Sequence, residues 1–154
     1  MLAAGDSAPD FELTSVDGAK RRLTDFVSTK PALLTFFKVS CPVCQMTLPF
    51  VERLSKSDNL EFIAISQDDL DSTERFRKQF GVTFETLLDE PGKGYPASNA
   101  FTITHVPSMF LVEPDRNISL AVSGFSKRDL EAIGKIAGVE PFRPGEKVPE
   151  FKGG

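Results

Sequence analysis

Cys41 and Cys44 are the only cysteines among 154 residues, and they stand three apart in the run Ser40-Cys41-Pro42-Val43-Cys44. A disulfide closing so short a loop restricts the unfolded chain very little, so a structural staple is a poor reason for the pair. A closed zinc site takes four Cys or His ligands, and the chain offers two Cys and one His, His105. Haem attachment calls for His directly after the second cysteine, where Gln45 stands. Redox chemistry remains. A thiol attacks a disulfide only as the thiolate, and a cysteine at the start of a helix meets unpaired N–H groups and the positive end of the helix dipole, which favour an anion. Cys41 is the expected nucleophile. Two intervening residues bring Cys44 round by nearly one turn, near enough to close a disulfide but further into the helix, and it is the expected resolving thiol. In such a cycle Cys41 attacks a substrate disulfide, a mixed disulfide forms, and Cys44 displaces the substrate as a dithiol, with the reverse direction equally allowed.

That chemistry needs a helix opening at Cys41, and the residues supply one. Val43, Met46, Leu48, Phe50, Val51 and Leu54 largely recur at helical spacing over 42–56, with Pro42 in the first turn where no donor is required. A nearly continuous apolar run over 32–37 precedes it and predicts a central strand covered on both faces. Residues 60–66 read as a second buried strand and 71–80 as a polar-faced helix stopped by Gly81, a parallel βαβ unit. A short strand over 85–88, a loop, a helical piece over 97–101, strands over 108–112 and 118–122 joined across Pro114-Asp115-Arg116-Asn117, and a helix over 127–137 complete the order. Asp17-Gly18 marks a hairpin in front of this frame. Residues 142–154, rich in Pro, Gly and charge, read as an extended tail, and Gly145-Glu146-Lys147-Val148-Pro149-Glu150-Phe151 echoes Gly5-Asp6-Ser7-Ala8-Pro9-Asp10-Phe11.

The chain reads as a single domain over 1–154, with a core of about 5–138 and a C-terminal tail over 139–154. Its 22 acidic and 18 basic residues are scattered apart from Lys20-Arg21-Arg22, which leaves no basic face for nucleic acid. No apolar run approaches a membrane span. As it stands the chain fits a soluble, cytoplasmic protein, or a periplasmic or extracytoplasmic one if a signal or anchor has been removed. Phe36, Phe37, Phe50, Phe62, Phe76, Phe80 and Phe110 read as core.

Three motifs in order, Gly5-Asp6-Ser7-Ala8-Pro9-Asp10-Phe11, Cys41-Pro42-Val43-Cys44 continuing to Pro49, and His105-Val106-Pro107-Ser108, resemble the thioredoxin superfamily. Within it they are similar to the redoxin branch, which includes peroxiredoxins (alkyl hydroperoxide reductase and thiol-specific antioxidant proteins) and bacterial thioredoxin-like thiol–disulfide oxidoreductases. The resemblance implies an α/β thioredoxin-like fold, a central mixed sheet flanked by helices, here with an N-terminal β-hairpin extension. It also implies a cis bond before Pro107, with the Val106 backbone free to pair with an extended substrate; the alternative is a trans proline at the start of an edge strand. Pro42, Val43, Val106 and Pro107 are the residues expected to meet substrate. Protein or small-molecule disulfides, an upstream thiol donor, a monomer, and no metal or organic cofactor complete the expectation.

The departures from the family pattern are as specific. Thr35 stands six residues before Cys41, where thioredoxins proper carry a buried acid, and leaves the proton of Cys44 without an assigned partner. Lys38 stands three before Cys41, where a peroxiredoxin places Thr. Lys38 is either a cation supporting the Cys41 anion or a solvated charge at a strand end, and His105 is either a modulator of the thiols or a surface residue. Two rivals follow: a thiol peroxidase with Cys41 peroxidatic and Cys44 resolving, and a redox-sensing or copper-carrying module using Cys41, Cys44 and His105.

Overall fold

The computed structural model describes residues 1–154. Its centre is β3 (Ala32–Phe37), six residues without an exposed side chain. β3 pairs in parallel with β4 (Glu61–Ser66) on one side and antiparallel with β6 (Ser108–Val112) on the other, so that Thr35 lies between Ala64 and Met109. Sheet order is β2-β1-β5-β4-β3-β6-β7, where β1 is Glu12–Ser15, β2 is Lys20–Arg22, β5 is Glu85–Leu88 and β7 is Ile118–Ser123. The N-terminal hairpin is therefore part of the main sheet: β1 joins β5 through Thr14 opposite Leu88 and Ser15 opposite Leu87.

Alternation along the strands divides the core between two faces. Leu34 and Phe36 of β3 meet Ile63, Ile65, Phe101 and Phe110 on one side. α1 (Leu23–Phe26) and α4 (Pro96–Ala100) cover that side through Leu23 and Ala97. On the other, Leu33 and Phe37 point towards α2 (Pro42–Leu54), α3 (Leu70–Phe80) and α5 (Lys127–Ala137). Phe36 stacks edge-on to Phe110 with ring centroids 5.8 Å apart, and Phe101 lies 5.0 Å from Phe110. The helices begin and end on local signals: Asp69 caps α3 by accepting from Ser72 N–H at 2.8 Å, Ser126 caps α5 by accepting from Asp129 N–H at 3.2 Å, and Gly81 and Gly138 close them at φ 70° and 74°. No helix is long and apolar enough to cross a membrane.

The two echoing segments have different surroundings. Gly5 to Ala8 runs beside the start of β7, with Gly5 and Ala8 N–H donating to the carbonyls of Ile118 and Arg116, and Phe11 is buried. Phe151 is 61% exposed. Segment 139–154 has little regular structure, as its Pro and Gly content predicts, but it does not trail free. Arg53 in α2 donates two hydrogen bonds of 2.7 Å to the Glu146 carboxylate and one of 3.0 Å to the Pro141 carbonyl, while the Phe142 ring packs 4.9 Å from Phe50. The chain then returns as β9 (Phe151–Lys152), paired antiparallel with β8 (Phe125–Ser126). Its polar composition hid this return, because the anchors are one aromatic ring and one ion pair rather than an apolar stripe.

Candidate active site

β3 ends at Phe37, and Lys38 to Ser40 form the turn that delivers Cys41 to the start of α2. Cys41 is the residue capping that helix: its Sγ accepts from Cys44 N–H at 3.2 Å, and its own N–H donates to the Lys38 carbonyl at 3.2 Å. Pro42 occupies the first helical turn, which makes no demand on its missing N–H. Both cysteines are free thiols, Cys41 half-buried and Cys44 fully buried against Phe37, Leu48 and Ala64. Burial pushes the Cys44 thiol well above the ordinary cysteine range; its hydrogen bond with Cys41 and the negative charge of Asp68 push the same way, opposed in part by a backbone hydrogen bond with Lys38. Pro49 lies inside α2, where the helix continues to Leu54.

Across the sheet edge, the bond between Val106 and Pro107 is cis, and the Val106 carbonyl lies 3.5 Å from Cys41 Sγ. Neither the N–H nor the carbonyl of Val106 has a backbone partner. Lys38, His105, Gln67 and Thr104 line the same cleft as Cys41 and Val106. His105 is exposed, and its Nδ1 pairs with Thr104 Oγ1 at 2.9 Å rather than with either sulfur; its carbonyl accepts from Ser108 Oγ. The Val43 carbonyl accepts from Thr47 Oγ1 at 2.7 Å, one turn along the helix. Thr35 is fully buried and its Oγ1 has no hydrogen-bond partner. No three His, Cys, Asp or Glu side chains gather to hold an ion, and Cys41, Cys44 and His105 do not form such a group.

Two residues that the sequence reading passed over hold the cysteine turn. Asp68 Oδ2 accepts from Val39 N–H at 2.8 Å, and Gln45 Nε2 donates to the Val39 carbonyl at 3.0 Å, so both backbone groups of one turn residue are clamped. A carboxylate just beyond the carboxyl end of a parallel strand was the available signal, since that is where sites collect in open α/β sheets. Gln67, the neighbour of Asp68, ties the cleft to α4 by donating to Ser98 Oγ at 2.9 Å. That hydroxyl in turn donates to the buried Asp89 carboxylate, which also accepts the N–H groups of Ala97 and Ser98.

Residues 4–121 match the AhpC/TSA family. Among curated proteins, the thiol-disulfide oxidoreductase ResA of Geobacillus kaustophilus is 29% identical over 135 residues, covering 84% of this chain and 75% of its own. The thioredoxin-like protein YneN of Bacillus subtilis is 28% identical over 137 residues, covering 84% and 78%. Among solved structures, the thioredoxin domain of a thiol-disulfide oxidoreductase from Bacteroides vulgatus superposes with a TM-score of 0.78 at 20% identity, over 89% of this chain and 99% of that one. Peroxidoxin BcpB of Mycobacterium tuberculosis superposes with a TM-score of 0.74 at 20% identity, over 91% and 99%. At these identities the structural likenesses establish the thioredoxin-like fold, which an oxidoreductase and a peroxidoxin share, and leave the chemistry to the site.

Proposed function

We propose that this chain, which belongs to the AhpC/TSA family, is a thiol–disulfide oxidoreductase that works by dithiol–disulfide exchange through Cys41 and Cys44. One observation carries the reading: a half-buried thiol at a helix start accepts the N–H of a second, fully buried cysteine and itself donates to the Val106 carbonyl, which no backbone N–H pairs. Cys41 as thiolate attacks one sulfur of a substrate disulfide, and the other substrate sulfur departs as thiolate. Cys44 then attacks Cys41 Sγ, its proton passes to the second departing sulfur, and the pair is left oxidised. An upstream thiol donor restores the dithiol. Both electrons reside in the two sulfurs, so the cycle requires no metal or organic cofactor, and every residue invoked comes from one chain, so a monomer suffices. Substrates are protein disulfides whose extended backbone pairs with Val106, or small-molecule disulfides that need only Cys41 Sγ, while Pro42 and Val43 border the reacting sulfur. Lys38 lines the cleft as its positive charge, and no arginine, the residue that peroxiredoxins hold near a peroxide-reacting cysteine, lines it.

Trapping tests this. Cys44→Ser should accumulate mixed disulfides through Cys41 and Cys41→Ser should accumulate almost none, as read by mass spectrometry of protein recovered from cells. Sulfenic or overoxidised Cys41 after peroxide, with turnover restored by an external thiol, would replace exchange by peroxidase chemistry. Unmodified Cys41 in both samples would favour a non-enzymatic redox-sensing module.

A further inference from the structure

The segment Glu150 to Gly154 reaches the groove that a substrate would enter. β8 continues from β7 past Gly124, whose N–H donates to the Pro107 carbonyl at 2.8 Å. β9 pairs with β8, Lys127 N–H donates to the Glu150 carbonyl at 3.0 Å, and the segment lies so close that a Cβ on Gly124 would stand 2.5 Å from the Lys152 carbonyl oxygen. Beyond Lys152 the chain reaches Val106 itself: Gly154 lines the cleft with Cys41, and a Cβ on Gly154 would collide with the Val106 carbonyl. Only a residue without a side chain fits there, against the one backbone carbonyl that faces Cys41 Sγ.

The strength of attachment falls along the segment. Phe142 and Glu146 hold its beginning to α2 by an aromatic contact and a two-bonded ion pair. Phe151 to Gly154 are all exposed, and a two-residue ladder to which β9 contributes no buried side chain is weak on its own. An extended element held firmly at Phe142 and Glu146 and lightly over Phe151 to Gly154 can leave the groove without unfolding the core.

We infer that Glu150 to Gly154 is an internal occupant of the strand-pairing groove at Val106, which lets small disulfides reach Cys41 while extended polypeptides must displace it. The inference rests on the exchange reading above. An extended substrate needs the space beside the Val106 backbone, whereas a small disulfide needs only Cys41 Sγ, so occupancy by the segment sets substrate class rather than the intrinsic reactivity of the thiol.

The test compares two reagents that both release coloured thionitrobenzoate when Cys41 attacks: the symmetrical small disulfide 5,5'-dithiobis(2-nitrobenzoate), and a linear peptide of about ten residues bearing thionitrobenzoate on a central cysteine. Three proteins are used: the full chain, a chain shortened by residues 150–154, and the full chain with Gly154→Val. The last expels only the final contact and keeps the rest of the segment in place. Both variants should react with the peptide about tenfold faster than the full chain, the gain expected when an occupant leaving the groove open about a tenth of the time is removed. Their rates with the small disulfide should stay within about twofold of the full chain, since the population term no longer enters. A peptide-to-small-disulfide ratio unchanged in both variants would overturn the inference and leave the exchange reading intact. Equal rates in native and Cys41→Ser proteins with either reagent would overturn both.

Discussion

Two sulfurs in the same helical turn have opposite surroundings, and that contrast gives each a separate task. Cys41 can be reached from the cleft; Cys44 is covered by Phe37, Leu48 and Ala64. With iodoacetamide, Cys41 should alkylate faster than Cys44 by at least an order of magnitude, because Cys44 reacts only after local opening and as a thiolate that its burial disfavours. Peptide mapping after partial alkylation reads the ratio directly, and equal labelling would remove the assignment of roles. Asp68 acts on the same pair from the turn that follows β4. Asp68→Ala strips the Val39 N–H of its acceptor and should cost about 1–2 kcal/mol of stability by urea denaturation. It also withdraws a negative charge that opposes ionisation of Cys44, so the pH at which Cys44 becomes reactive should fall. Asp68→Asn separates the two effects, since an amide oxygen can still accept from Val39 while the charge is gone.

At the scale of elements, α2 has two attachments that its sequence announces and one that it does not. Its first turn carries the cysteines, its buried stripe packs on β3, and Arg53 in its last turn grips Glu146 from the returning segment. The Arg53 hydrogen bonds hold the Glu146 carboxyl well below the usual carboxylate range, at about 2, with the Arg143 N–H adding to the effect. A carboxylate whose folded value lies below its unfolded value of 4.5 contributes stability that is fully present above the higher value and disappears as pH falls towards the lower. The difference in stability between native protein and Glu146→Gln should therefore close as pH drops from about 4.5 to about 2. Denaturation of both proteins across that interval checks it; a difference independent of pH would mean that the contact is steric.

For the whole molecule, the sheet keeps the site in register by being packed on both faces. Phe36, Phe101 and Phe110 form one aromatic group on the face away from α2, all with no exposed surface. Phe110 sits on β6, three residues beyond the cis-proline, so its packing sets where Val106 meets Cys41. Phe110→Ala should cost about 3–5 kcal/mol through lost burial and the cavity left behind. The thermal midpoint should drop by roughly 10 °C, read by circular dichroism. Reaction of Cys41 with a small disulfide should persist below the new midpoint, because the helix start that presents its sulfur lies on the opposite face.

Local patterns in the sequence determined most of the frame. The apolar run over Ala32–Phe37, the helical spacing after Pro42, the caps at Asp69 and Ser126 and the glycines at 81 and 138 depend on neighbours a few residues away, and each element expected from the sequence stands within two residues of its bounds, while α1, β8 and β9 were not expected. The redox pair was equally legible, since its spacing, its helix start and the absence of other ligands are all local facts. Tertiary structure decided what faces that pair, and only the family resemblance, not any local pattern, pointed to Val106 and Pro107. Val106 is separated from Cys41 by 65 positions, and Asp68 from Val39 by 29. Both contacts depend on strand order and register, which alternation along a strand does not encode. The return of segment 139–154 was hidden for the same reason: Phe142, Arg53 and Glu146 carry no periodic signal, and they meet only because α2, β8 and α5 have already assembled the surface on which that segment lies.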